Sequence, residues 1–340
     1  MKILIIRFSS IGDIILTTPV VRCIKKQLGA EVHYLVKKSF ANVLQNNPYI
    51  DKFHFFETWD DTLIKTLKAE KFDKIIDLHK NIRSKRVIVA LDIPALSFDK
   101  LNVQKWFMTA LKINFLPKLH LVDRYFKALE KLGIQNDDKG LDYFVDPENE
   151  FRVKSYIREA GLISQSGYIA MAIGSAQRTK VPPLEIYTKI INQLQIPVVL
   201  LGGPGDAFFG NQIVGELPQK TIINVAGNFK LGESVAFIKN AQCLITPDTG
   251  LMHAGAAVGT PIIVLWGNTI PEFGMHPFFA GNNTEMYFNQ EVKDLACRPC
   301  SKIGYKHCPK KHFNCMVKQD VVSIIRNTEI LISQRQKNLN

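Results

Sequence analysis

At 340 residues the chain is too long for one comfortable domain and suits two of ordinary size. Apolar residues make up 46% and charged residues 22%, a globular composition with material for a core. The net charge of +12 favours anionic partners, but the Lys and Arg are scattered without interleaved aromatics, so nucleic acid is not an expected partner. No apolar run is long enough to cross a bilayer, and Arg7 with Ser-Ser-Ile-Gly-Asp interrupts the N-terminal apolar stretch before a signal-peptide core can form. A soluble, cytoplasmic protein is expected.

In chain order, "KILIIRF" (2–8) reads as a strand and "SSIGD" as a turn. Asp13 to Leu28 then reads as helix, stopped by Gly29. Further strands are expected at 31–36, 52–56, 74–79 and 93–98, with helical or turn segments between them. The polar stretch "GIQNDDKG" (133–140) is the loosest region and the best place for a domain boundary. The pattern then restarts, with buried-strand runs at 167–174, 196–203, 221–227, 243–248 and 261–267, a "CRPC" segment and a final helix near 317–334. Such alternation predicts an α/β chain of two Rossmann-like domains, 1–160 and 161–340, each with a parallel sheet. Ligands of such sheets sit at the carboxyl ends of the strands. Those ends here carry "SSIGD", "GSAQRTK", "GGPGD" and "PDTG".

Asp248-Thr249-Gly250 matches the aspartic-protease triplet, but that chemistry needs two carboxylates sharing a proton. No second Asp-Thr/Ser-Gly occurs in the chain, and "GLMHAGAAVG" downstream has helical spacing. The protease reading fails. What remains is a strand leading into a helix, either an anion site at the helix start or a plain cap by Asp248. Ser175 and Lys180 lie on the "GSAQRTK" loop, where a lysine near phosphates would neutralise a leaving group; a surface lysine is the alternative. Asp206 follows a glycine-rich strand exit, as a ribose-binding acid does, or it belongs to a plain tight turn. Asp13 is placed to act as a general base or to stabilise a helix N-terminus. Neither Asp-x-Asp nor Gly-x-Gly-x-x-Gly occurs, which disfavours metal-dependent glycosyl transfer of that kind and nicotinamide chemistry. Cys297, Cys300, Cys308 and Cys315, with His307 and His312 nearby, form either a structural zinc site or a compact reduced loop.

Taken together, "MKILIIRFSSIGDIILTTPVV", "DLHKNIRS", "GSAQRTKVPP", "LLGGPGD", "PDTGLMHAGAAVGTPIIVLWGNTIP" and "CRPC…CP…CM" resemble the ADP-heptose:lipopolysaccharide heptosyltransferases, glycosyltransferase family 9, over nearly the whole chain. The resemblance implies a GT-B fold, with a donor domain C-terminal to an acceptor-side domain and the active site between them. It also implies metal-independent, inverting transfer from a nucleotide sugar, commonly ADP-heptose, to a lipid A/core oligosaccharide acceptor. Asp13 matches the family's base, and Lys180 the lysine on the donor phosphates. Ser175, Thr249 and Gly250 match phosphate contacts, with Asp248 at the same turn, Asp206 near the ribose and His253 within the motif. Asn81 and Arg83 are expected to face the acceptor. The family's Lys-x-Trp-Pro reads "KVPP" here, so an aromatic is missing. No cofactor is implied for the chemistry, and contact with the anionic inner face of the inner membrane would be peripheral. A transferase using another nucleotide sugar for a surface glycan, or a non-catalytic nucleotide-sugar binder, are the competing expectations.

Overall fold

Strands of an all-parallel sheet are covered on both faces and therefore read as unbroken apolar runs. The computed structural model, which describes residues 1–162 and 167–339, has this character in the central strands of both sheets. The first sheet contains β1 (Lys2–Ile6), β2 (Glu31–Val36), β3 (Lys52–Phe55), β4 (Lys74–Asp77) and β5 (Ala95–Ser97) in the order β3-β2-β1-β4-β5. The second contains β6 (Ile169–Ala172), β7 (Val198–Leu201), β8 (Ile222–Asn224), β9 (Cys243–Pro247), β10 (Ile262–Trp266) and β11 (Tyr287–Glu291) in the order β11-β10-β9-β6-β7-β8. Every ladder is parallel, with Ile5 opposite Tyr34 and Ile76 in the first sheet and Met171 opposite Leu200 and Ile245 in the second.

The chain divides into two compact units. One comprises Met1–Leu101, Leu119–Phe144 and Ala280–Asn282, the other Asn102–Lys118, Val145–Phe279 and Asn283–Asn340. In the first unit, Leu4, Ile6, Phe8, Leu35, Ile75 and Val87 share one core. In the second, Ile169, Met171, Tyr187, Ile190, Leu200 and Ile245 do the same. Burying such side chains is worth about 1.5–3 kcal/mol each.

The helix expected from Asp13 to Leu28 is two helices, Ile11–Ile15 and Thr18–Leu28. Pro19 lacks an N–H and so opens a new first turn, while the Thr17 and Thr18 hydroxyls donate back to the Ile14 and Ile15 carbonyls at 2.7 Å. Gly29 ends the second helix in the left-handed conformation (φ 59°). The polar stretch 133–140 is pinned to the first unit rather than loose. Arg22, buried on the helix Thr18–Leu28, donates to both Asp137 oxygens (2.7 and 2.9 Å), to the Gly140 carbonyl (2.9 Å) and to Asp142. The final helix runs Val321–Leu339. No helix among the described residues is long and apolar enough to cross a membrane.

Candidate active site

In a parallel sheet the crevice for a ligand forms where neighbouring strands send their connections to opposite faces. In the first sheet that point lies between β1 and β4. The connection leaving β1 carries Asp13 in the helix Ile11–Ile15, and the one leaving β4 carries His79 and Asn81. Asp13 is held from two sides. Arg7 reaches one carboxylate oxygen at 2.5 Å, and the Ser10 hydroxyl donates to the other at 2.7 Å, with the Ser10 N–H at 3.3 Å. Asp13 therefore steadies its helix start, and both of its oxygens are oriented.

Arg7 is buried and also donates to the Ser9 carbonyl at 2.9 Å and to the Leu78 carbonyl. Burial opposes its charge most strongly, but Asp13 together with Tyr125 and Tyr34 more than offsets it, and the pKa lies above the ordinary value. Beside this pair, His79 is pushed down to about 3 by burial and then by the Arg7 charge. Its Nδ1 is buried with no hydrogen-bond partner among the described residues. Asp77 accepts from the His79 and Lys80 N–H groups (3.0 and 2.8 Å) and from the Ser84 hydroxyl (2.7 Å), which shapes this turn. Asn81 caps the helix Ile82–Leu91 through its side-chain oxygen, which accepts from Arg83 and Ser84 N–H. Only its amide NH2 is left for a ligand. Arg83 is exposed.

In the second sheet the corresponding point lies between β6 and β9, whose exits are the two loops carrying Lys180 and Asp248. Lys180 Nζ sits 2.7 Å from Asp248 Oδ2, which also accepts from the Thr269 hydroxyl at 2.8 Å. The helix that follows is Gly250–Ala257, and its N-cap is Thr249, not Asp248. The plain-cap role for Asp248 is thereby excluded. Thr249 makes no side-chain cap bond and meets the Thr246 hydroxyl at 3.3 Å. His253 is buried on the same helix. Ser175 Oγ accepts a long bond, 3.4 Å, from Gln177 N–H. Asp206 accepts from Gly203 N–H at 2.8 Å and packs on Gly174, where an added Cβ would lie 2.0 Å from a carboxylate oxygen. Two glycine loops are thus fitted together through one acid.

The cysteine-rich segment supports these loops by hydrogen bonds. Arg298, which follows Cys297, donates to the Gly267 (2.5 Å), Thr269 (3.0 Å) and Val292 (3.2 Å) carbonyls and pairs with Glu291 at 2.8 Å. Tyr305 exchanges bonds with Thr179, next to Lys180: its carbonyl accepts from Thr179 N–H at 3.0 Å and hydroxyl at 2.9 Å, and its N–H donates to that hydroxyl at 2.8 Å. The four-cysteine zinc expectation is not met in this geometry. Cys297, Cys300, Cys308 and Cys315 are free thiols, and no three of them converge at mutual ligand distance; Cys300 Sγ turns instead to the Cys297 carbonyl. Among the described residues the one such group is His33, His54 and Glu70 in the first unit. There Lys52 (2.6 Å) and Lys2 (3.1 Å) already occupy the two Glu70 oxygens, so a cation would have to displace two ammonium groups.

With these loops in place, the comparison with known families is decisive. The profile of glycosyltransferase family 9 (heptosyltransferase) matches residues 61–310. The chain belongs to glycosyltransferase family 9. It is a glycosyltransferase of the heptosyltransferase family. It is 27% identical over 291 residues to lipopolysaccharide heptosyltransferase 1 of Campylobacter coli, covering 79% of this chain and 84% of that one. Its fold matches the glycosyl transferase family 9 structure from Veillonella parvula with a TM-score of 0.79 at 24% identity, covering 98% and 97%. It also matches E. coli heptosyltransferase WaaC with ADP, with a TM-score of 0.68 at 17% identity, covering 97% and 100%. The fold is the GT-B class.

In this family 9 chain the sequence reading missed Arg7, His79, Thr269, Arg298 and Tyr305. "RFSSIGD" held a signal for the first, because a cation five or six residues before an acid across a strand exit can fold back onto it. Thr269, Arg298 and Tyr305 reach across 21, 31 and 126 residues to Asp248, Gly267 and Thr179, too far for a local pattern to show, and His79 marks itself only as an imidazole just past a strand end.

Proposed function

We propose that the protein transfers a heptose from ADP-heptose to a lipid A/core oligosaccharide acceptor by a single inverting displacement that uses no metal ion on the diphosphate. The observation that carries this reading is Lys180 meeting Asp248 at the strand exits beside the helix start at Thr249–Gly250. A cation, free helix N–H groups and a hydroxyl there form a cradle for a departing diphosphate. The second unit takes the donor role and the first the acceptor role.

Asp13 removes the proton of the acceptor hydroxyl as its oxygen attacks the anomeric carbon. The bond from that carbon to the diphosphate oxygen breaks, and the electron pair leaves with ADP. Lys180 balances the growing charge, joined by Ser175, Thr249 and the Gly250 N–H, while Asp206 holds the ribose. Asp248 positions Lys180, and His253 packs beneath the helix start. Asn81 and Arg83, with the neutral His79, offer donors and an acceptor to sugar hydroxyls and phosphates of the core. The ADP in a solved relative and the lipopolysaccharide acceptors named for the curated relatives support the choice of donor and acceptor. The +12 charge suits peripheral contact with an anionic leaflet.

The test is ADP release from ADP-heptose and from hexose donors, with delipidated core acceptor and EDTA. Release with ADP-heptose that survives EDTA, with inversion at the anomeric carbon, supports the reading. Release only with another sugar moves the protein to a different donor. Donor binding without turnover in any acceptor mixture makes it a binding protein.

A further inference from the structure

The helix Asn102–Ala110 buries none of its residues, although Val103, Trp106, Phe107 and Met108 are apolar. A surface helix ordinarily turns its apolar stripe to the core. Here Trp106 is 57% exposed, and the chain beyond it continues with exposed Leu111, Ile113 and Phe115, the last at 60%. Among the described residues, five of the seventeen exposed large apolar side chains fall within 102–118. The rest are mostly isolated, as on any protein surface.

The same stretch carries Lys105, Lys112 and Lys118 and no acid. Lys112 Nζ donates to the Pro299 carbonyl at 2.6 Å, which ties the stretch to the segment 295–319. That segment also contains no Asp or Glu, and it adds Arg298, Lys302, Lys306, Lys310, Lys311 and Lys318, with exposed Ile303 and Tyr305. An exposed aromatic and aliphatic cluster set among cations is the pattern of a peripheral membrane anchor. The rings enter the headgroup boundary while lysines meet anionic lipids.

We propose that residues 102–118, with the adjoining 299–306 loop, dock the protein on an anionic bilayer surface. A second copy of the chain fits this face poorly, because a two-fold contact would set the same acid-free basic surface against itself. The proposal rests on the heptosyl-transfer reading only in that a membrane glycolipid is the acceptor.

Flotation with vesicles of phosphatidylglycerol and phosphatidylethanolamine, free of lipopolysaccharide, tests it without turnover and so independently of the transferase reading. The protein should float with these vesicles and at least tenfold less with phosphatidylcholine alone, and 0.5 M salt should weaken the binding. Trp106 emission should shift to the blue and be quenched by brominated acyl chains. The double variant Trp106→Ser/Phe115→Ser should lose most of the binding while keeping its melting temperature and its turnover of delipidated acceptor, and Lys105→Glu/Lys118→Glu should lose the preference for anionic lipid. Equal binding to both vesicle types, unquenched Trp106, or full binding by the double variant would overturn the proposal. So would a dimer in vesicle-free solution that the double variant dissolves, since the face would then be an interface between copies.

Discussion

Lys180 and Asp248, on the loops leaving two neighbouring strands, form an ion pair of 2.7 Å whose acid is also held by Thr269. The pair fixes the lysine's head group in advance. It also places a negative charge beside the position proposed for the diphosphate. Lys180→Ala is expected to lower kcat by about 10²- to 10³-fold, the usual effect of removing one preorganised charge partner. Asp248→Asn is expected to tighten ADP binding several-fold and still lower kcat, because the lysine gains freedom as it loses its counter-charge. Calorimetric titration of ADP beside steady-state kinetics checks both. Weaker ADP binding in the Asn variant would assign Asp248 to direct contact with the donor.

The Arg7–Asp13 pair complicates the obvious base mutant. Asp13→Asn should reduce kcat by about 10²- to 10⁴-fold. It also leaves a buried guanidinium without its counter-ion, a change that costs about 3–5 kcal/mol when such a pair is broken. Activity and urea unfolding measured on the same preparation separate the two effects. Asp13→Glu should recover stability more than activity, since the longer chain can reach Arg7 but displaces the proton acceptor.

Gly174→Ala places a methyl group 2.0 Å from an Asp206 oxygen, closer than any contact allows, so the acid must move. The expected result is a donor KM raised about tenfold, with a smaller change in kcat if Asp206 holds the ribose. An unchanged KM would leave Asp206 as a turn residue.

Arg298→Met keeps the bulk of the side chain but leaves the Gly267, Thr269 and Val292 carbonyls and the Glu291 carboxylate without their donor. Each buried group left unsatisfied costs about 1–3 kcal/mol. A lower melting temperature with a raised donor KM is expected, because Thr269 also holds Asp248. Differential scanning fluorimetry with and without ADP reads both effects.

Acid should destabilise the protein earlier than ordinary carboxylate titration would. Burial, followed by the His33 charge, lowers His54 to about 4, and His79 lies at about 3. The unfolded chain takes up these protons near pH 6.5 and the native chain only near pH 4 and 3. The stability they contribute is therefore complete above pH 6.5 and is lost as pH falls. The slope is at most about 1.4 kcal/mol per pH unit for each histidine. Glu70, lowered to about 2 by Lys52 and then Lys2, adds its share below its ordinary 4.5. The urea midpoint should drop between pH 7.5 and 5.0, and less so in His54→Gln. A midpoint that stays level over that interval would contradict the burial argument.

Most of the fold was legible because its strands are buried on both faces and show as apolar runs. β11 (Tyr-Phe-Asn-Gln-Glu) was not, since an edge strand carries polar residues and was hidden in a loop-like region. The break at Thr17 was visible in Pro19 but was read through. At the site, the loops were found from the chemistry of strand exits, whereas the partners were not. Lys180 with Asp248, Arg298 with Gly267 and Tyr305 with Thr179 are all joined by folding across long stretches of chain. The cysteine spacing pointed to thiolates, while the segment's hydrogen-bonding work falls to the arginine and tyrosine around them.

The division of the chain has a further consequence for anyone who would take it apart. The polypeptide passes between the two units five times, at 101/102, 118/119, 144/145, 279/280 and 282/283. No single cut separates them. A fragment ending at 144 would carry the apolar helix Asn102–Ala110 away from the unit it packs with and would lack Ala280–Asn282, whose Gly281 N–H donates to the Asp138 carbonyl at 2.7 Å. Such a fragment should express as an aggregating species, and the halves of this enzyme are better studied by point substitution than by truncation.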